Sequence, residues 1–386
     1  MLPCAAFALC GDSYPISQEI LFMLADAAHT QQAPIEDLAR RFSWFAEHSF
    51  QGSSPLYERL ARRIADDPEI LKISAAADPH QPVPLLLFGA IQYLLIGQTP
   101  QIEPLLLYYP SLTGNGTRPA VDPYPLFREF CLTHQAEIEQ IISTRRVQTN
   151  EVRRCTGLML AFNRVVRQEN QPLALVELGA SAGLNLLWDR YSYDYGSAGR
   201  VGDADAPLVL SAELRGEQER IVPMDLPPAV SSIGIDLHPV DARNSEQARW
   251  LRALIWPEQT DRAARLERAL EVARGAPPLL VEGDVLEVLP ATLATISNSA
   301  ALVVYHSYML NQFPAQARDQ LEALLAARSF DRTIHRIAIE WIDGGKFPTI
   351  RHTLYQRGSQ TEALLAHVDP HGAWVEWLAN ETEETH

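Results

Sequence analysis

The sequence predicts an α/β protein, with a helical N-terminal domain followed by a mostly parallel sheet that has an antiparallel C-terminal edge. Three observations predict it. Apolar residues recur at helical spacing through most of residues 17–170. After Gln171-Pro172, short apolar runs alternate with helical stretches, the pattern of parallel strands covered on both faces. The run Leu173-Ala-Leu-Val-Glu-Leu-Gly-Ala-Ser-Ala-Gly-Leu-Asn185 passes from apolar residues through an acid and a small-residue turn into a new helical pattern. Such a turn lets a ligand approach the backbone and meet the free N–H groups of the helix behind it.

The chain has 386 residues, more than one compact core usually holds, which predicts two domains. Residues 1–170 form the helical domain, expected to act as a cap that contributes to substrate binding, and residues 171–386 form the sheet domain. A content of 47% hydrophobic and 21% charged residues is that of an ordinary globular protein. The net charge of −16 argues against nucleic acid or an anionic membrane as partner. The four cysteines (Cys4, Cys10, Cys131, Cys155) form no CxxC pair, which fits a reducing cytoplasm and neither a disulfide framework nor a zinc site. Leu2 to Leu9 is too short for a membrane span and lacks the basic flank of a signal peptide.

Taken in order, helical spacing appears in Ile35-Leu38-Phe42-Phe45, Leu56-Leu60-Ile64, Leu85-Phe88-Ile91-Leu95 and Ile138-Ile141-Ile142. Proline, glycine and asparagine interrupt it at 79–84 and 110–125. A long helix, or two with a break near Gln148-Thr149, then reaches Asn170. Strands follow at 173–178, 231–236, 278–282, 300–305 and 333–341, with helices over Ser245–Ile255, Asp261–Arg274 and Ala315–Arg328. His352–Arg357 and Ala373–Leu378 read as an antiparallel pair on one sheet edge. Glu177 and Asp236, which end the first two strands, are farther apart than one helix requires. Residues 191–228, rich in Tyr, Gly, Asp and Pro, are therefore an insertion, as a β-hairpin or loop.

Several residues invite chemistry. Glu177 ends a buried strand, where a charge needs a partner. His306 follows Ala301–Tyr305 at the carboxyl end of the fourth strand, where α/β sheets bind ligands, and imidazole is suited to take a proton near neutral pH. The bland alternative is a packed histidine with one structural hydrogen bond. Tyr308 either shapes a pocket or simply packs. Arg145–Arg154 holds four arginines and one glutamate. Its Asn150, Glu151 and Arg154 are candidate contacts to substrate or cofactor, against the usual reading of such a run as a solvated helix face. There is no Walker-type phosphate loop and no HExxH.

The segment Glu177-Leu-Gly-Ala-Ser-Ala-Gly183 resembles the first motif of class I S-adenosylmethionine-dependent methyltransferases, with Ser181 replacing the usual middle glycine. Together with Thr144–Val152 and Gly234-Ile-Asp-Leu-His-Pro-Val-Asp241, the chain is similar to the uncharacterised bacterial domain-of-unknown-function family 2332, which has a methyltransferase-like core. The resemblance runs from residue 173 to the C-terminus. It implies a Rossmann-like methyltransferase fold that binds S-adenosylmethionine and methylates a small molecule. Gly179, Ser181 and Gly183 would line the cofactor loop; Glu177 would orient the methionine amino group or brace the loop, and Asn185 would contact the ligand or is a solvated helix residue. Asp236 would accept the ribose hydroxyls, or is a turn aspartate; Asp284 would meet the adenine, or caps a helix. The alternatives are another nucleotide-dependent enzyme, such as an oxidoreductase, and a non-catalytic ligand- or protein-binding module.

Overall fold

A computed structural model describes residues 34–114, 119–216, 221–342 and 345–378. The Leu2–Leu9 segment, Cys4, Cys10 and the helical spacing read before residue 34 lie outside it. The chain divides into two compact units: residues 1–149 with 244–267, and residues 150–243 with 268–386. Among the described residues no helix is long and apolar enough to cross a membrane.

The first unit is helical. Its central helix, Val83–Leu95, is apolar on nearly every side and buried along almost its whole length. Ile35–Phe45, Pro55–Ile64, Gln135–Thr144 and Ser245–Ala253 pack their apolar stripes around it. Tyr57 stacks on Phe88 with ring centroids 4.1 Å apart, and Phe50 meets Trp256 at 5.1 Å. Gln92, fully buried among them, accepts the Tyr57 hydroxyl proton and donates to the carbonyls of Arg252 and Ile255, so its own amide is satisfied.

The second unit is α/β, built on a large, mostly parallel mixed sheet. Its strands are β1 (Leu173–Leu178), β5 (Glu213–Arg215), β6 (Ala229–Asp236), β7 (Leu279–Glu282), β8 (Ala301–Ser307), β9 (Ile334–Glu340), β10 (Thr349–Gln356), β11 (Ser359–Val368) and β12 (Trp374–Trp377). They lie in the order β5-β12-β11-β10-β9-β8-β1-β6-β7. The five strands β9, β8, β1, β6 and β7 are parallel, and β10, β11 and β12 continue as an antiparallel meander. The chain leaves β1 toward one side and returns at β8 toward the other. The gap between their carboxyl ends is thus the point where strand order reverses, and where ligands bind in such sheets.

Both faces near that point are covered. On one, the helix Cys155–Glu169 sets Phe162 against Tyr305 and Trp188, with ring centroids 5.2 and 5.3 Å apart. On the other, Leu289, Leu293, Leu321 and Leu325 from the helices Val285–Ala294 and Ala315–Arg328 pack on Val176, Leu302 and Val304. That double cover is why β1 and β8 read as continuous apolar runs.

Three readings change. The turn after β1 enters a seven-residue 3-10 helix, Leu184–Arg190, with non-helical geometry at Leu187, in place of a regular α-helix. The insertion at 191–228 holds a small three-stranded sheet of β2 (Ser192–Asp194), β3 (Arg200–Val201) and β4 (Val209–Ser211), and then sends β5 to pair with β12. The C-terminal edge carries β11, a strand absent from the sequence reading. Its first residues, Ser359 to Glu362, are polar and exposed, so no apolar alternation announces it.

Candidate functional site

All the candidate site residues fall in the second unit. The turn after β1 takes left-handed backbone angles at Gly179 (φ +72°), Ser181 (φ +50°) and Gly183 (φ +66°). A Cβ at Gly183 would lie 2.7 Å from Pro278, so only glycine meets both demands there. The turn curls over the tip of β6. The Gly179 N–H donates to Ile235 O at 2.8 Å, and the Ser181 N–H donates to Asp236 Oδ2 at 2.7 Å. Asn150 braces it from the other side, donating from Nδ2 to Ser181 Oγ (3.1 Å) and accepting the Ala182 N–H on Oδ1 (3.3 Å).

Asp236 Oδ1 accepts the His238 N–H at 2.8 Å, the turn geometry weighed for it. With one N–H on each oxygen, the half-buried carboxylate retains an acceptor lone pair on each. Burial pushes its pKa up. Glu177 sits deeper. It accepts from Asn185 Nδ2 (3.2 Å) and the Tyr305 hydroxyl (3.3 Å), and burial raises its carboxyl from 4.5 to about 8, with the charge of nearby Asp236 adding to the rise. At neutral pH it is mostly protonated. Asn185 also receives the Cys155 thiol at 3.4 Å, a thiol that burial holds well above its ordinary pKa and keeps inert.

A second group gathers at the tip of β8. Glu151 caps the short 3-10 turn Val152–Arg154, accepting the Arg153 N–H at 3.1 Å, and the chain continues into the helix Cys155–Glu169. This start brings Arg154 over the Tyr308 ring, 4.2 Å from its centroid, with Nη1 donating to Ser307 Oγ at 3.3 Å. Arg154 is 5% exposed, so it is no part of a solvated helix face. The turn Asp369–Gly372 closes around it: Pro370 O accepts from Arg154 Nε and from the Tyr308 hydroxyl, each at 3.4 Å.

His306 stands apart from this group. Alternation along β8 puts Ser307 on the face of Arg154 and His306 on the opposite face, in line with buried Leu302 and Val304. Its ring is 0% exposed, and Nδ1 pairs with Glu340 Oε1 at 2.8 Å. The same oxygen accepts the N–H groups of Met309 and Leu310. As it stands, no substrate atom reaches the imidazole. Asp284 caps the helix Val285–Ala294, its Oδ1 accepting the Leu286 N–H at 2.8 Å, and it follows Gly283, whose N–H donates to Asp236 O at 2.9 Å, so it lies at the same end of the sheet as Asp236. Asp284→Ala is expected to cost about 1 kcal/mol in urea unfolding, with Asp284→Asn restoring most of it.

The expectation that the chain lacks a G-x-S-x-G nucleophile elbow is corrected here, because residues 179–183 spell that pattern. The geometry does not complete it. Among the described residues the partner of Ser181 Oγ is the Asn150 amide, and no imidazole or carboxylate touches the hydroxyl to activate it. The turn Asp369-Pro-His-Gly372 and the Tyr305 hydroxyl are contributors the sequence reading passed over. Asp-Pro-His-Gly is legible as a turn, but nothing local announces that it clasps residues 151–154.

A search of curated proteins found no match, and a search of solved structures found none either. A family profile described as "Uncharacterized protein conserved in bacteria (DUF2332)" matches residues 39–377, which takes in most of both units. The chain belongs to this bacterial family.

Proposed function

We propose that the second unit binds S-adenosylmethionine at the carboxyl ends of β1, β6 and β7 and transfers its methyl group to a small molecule. The observation that carries this reading is the left-handed turn 179–183 beside Asp236, at the point where strand order reverses. Asp236 fits a nucleoside: its two oxygens keep lone pairs for a pair of vicinal hydroxyls, while its N–H partners fix its orientation. Asn150 fixes the turn through Ser181 Oγ and the Ala182 N–H. When bound, the cofactor supplies an electrophilic methyl group on a sulfonium. The protein's part is then to hold the acceptor in line with it, which can carry most of the rate without a base. His306, sealed behind β8, orders the tip through Glu340 in this reading.

Calorimetric titration with S-adenosylmethionine and S-adenosylhomocysteine tests the proposal. Micromolar binding is expected for the wild-type chain, and Asp236→Ala is expected to weaken it by about tenfold or more through loss of a charged acceptor. Absence of binding to the folded wild-type protein overturns the reading. Binding retained with no methylated product from any acceptor would favour a ligand-binding module.

A further inference from the structure

Arg154 carries a charge that it cannot shed, because a guanidinium does not deprotonate in proteins. Burial at 5% exposure makes a full set of acceptors necessary, and the set is incomplete. Nε and Nη1 donate to Pro370 O and Ser307 Oγ, and the Tyr308 ring lies beneath the plane. Nη2 is buried and has no acceptor. Among the described residues no carboxylate lies within ion-pair distance of the guanidinium. Glu151 and Glu340 act on it only through space, and Glu177 is mostly protonated at neutral pH. Glu340 spends its Oε1 on His306, Met309 and Leu310, and Glu177 accepts from Asn185 and Tyr305. The turn that clasps Arg154 brings His371, 8% exposed, whose ring nitrogens make no hydrogen bond, Nδ1 lying 3.8 Å from Glu151 Oε2. Ser307, the hydroxyl touching Arg154, is itself half-buried.

We propose that Arg154 is the anchor for a carboxylate on the methyl-acceptor substrate, so that the acceptor is a small carboxylic acid; the acceptor role rests on the methyltransferase reading above. A carboxylate suits the place better than a phosphate. Its planar pair of oxygens matches the guanidinium fork. With Glu151 and Glu340 already acting on Arg154 through space, a single charge meets less of their repulsion than a dianion would.

The test is calorimetric titration of the full chain with acetate, benzoate, phenylacetate and inorganic phosphate. 5′-Methylthioadenosine, the cofactor's nucleoside without its carboxylate, and S-adenosylhomocysteine are titrated in parallel. At least one monocarboxylate is expected to bind the wild type more tightly than phosphate does. Arg154→Gln is expected to weaken that binding tenfold or more, with Arg154→Lys, which keeps the charge, in between. The affinity for 5′-methylthioadenosine is expected to stay unchanged in both variants. The proposal is overturned if no carboxylate binds, or if the Gln variant binds carboxylates as well as the wild type does. It is also overturned if S-adenosylhomocysteine weakens tenfold in the Gln variant while free carboxylates never bind, because Arg154 then holds the cofactor's own carboxylate. Arg154-dependent carboxylate binding with no binding of either nucleoside leaves the anion site standing and overturns the methyltransferase reading.

Discussion

Glu177→Gln is expected to make the protein markedly more stable than the wild type at pH 9 and to leave the two nearly equal at pH 4.5. The sign follows from the folded-state carboxyl titrating at about 8, above its ordinary 4.5, because burial penalises the charge. The folded state therefore holds a proton that the unfolded chain releases. Stability from this group is complete below pH 4.5, falls as pH rises through 8, and is level beyond that. The gap corresponds to at most roughly 5 kcal/mol. The amide of Gln imitates the neutral carboxyl, can still accept from Asn185 or Tyr305, and does not titrate. Urea unfolding of both proteins at pH 5 and pH 9 measures the difference, and groups common to both cancel in it. Parallel pH dependence in the two proteins would falsify the account of Glu177 as a buried, proton-holding carboxyl.

Gly372→Ala is the second large effect, expected to destabilise by roughly 2–5 kcal/mol and to open the turn around Arg154. Gly372 has φ +76°, which costs an alanine about 1–2 kcal/mol on its own. Its Cβ would also collide with the Arg153 carbonyl and stand 2.9 Å from the Arg154 nitrogen, both main chain and unable to swing aside. Gly358 supplies the control. It has nearly the same φ, +78°, but its Cβ would meet the Phe330 ring at 2.5 Å, and Phe330 is 71% exposed and free to rotate away. Gly358→Ala is expected to show the backbone penalty alone. Equal losses in the two variants would mean that Gly372 matters for its backbone angle and not for the clasp.

What the sequence made legible was what local chemistry repeats. Buried parallel strands such as Leu173–Leu178 and Ala301–Ser307 are read directly from unbroken apolar runs, because both faces of each are covered. The acid before the small-residue turn and the aspartate before a helical run are likewise local signals, and Asp284 as a cap is local chemistry in full. The rest depends on partners remote in sequence. Arg154 looks like one more arginine of a polar helix start until the turn 369–372, more than two hundred residues later, encloses it. His306 looks available at a strand tip until Glu340, from the next strand, takes Nδ1 and the helices behind seal the ring. The 3-10 helix after the turn misled for another reason: Leu184, Leu186, Leu187 and Trp188 carry enough apolar character for a helix, but the chain must turn at Arg190 to enter the small sheet.

The pairing of β5 with β12 governs how the chain assembles. Residues 213–215 leave the first half of the sheet unit and hydrogen-bond to residues 374–376, at the far edge from β6 and β7. Arg215 then lies over the Trp374 ring, 4.4 Å from its centroid. A contact between such distant stretches of chain demands closure of a very long loop, an entropic cost met only once the intervening strands are in place. During synthesis, β5 must wait unpaired until residues 374–376 are made. Among the described strands the last to emerge is the one that pairs with it, so this edge of the sheet forms late, and removal of β12 would leave β5 an exposed strand in the middle of the sequence.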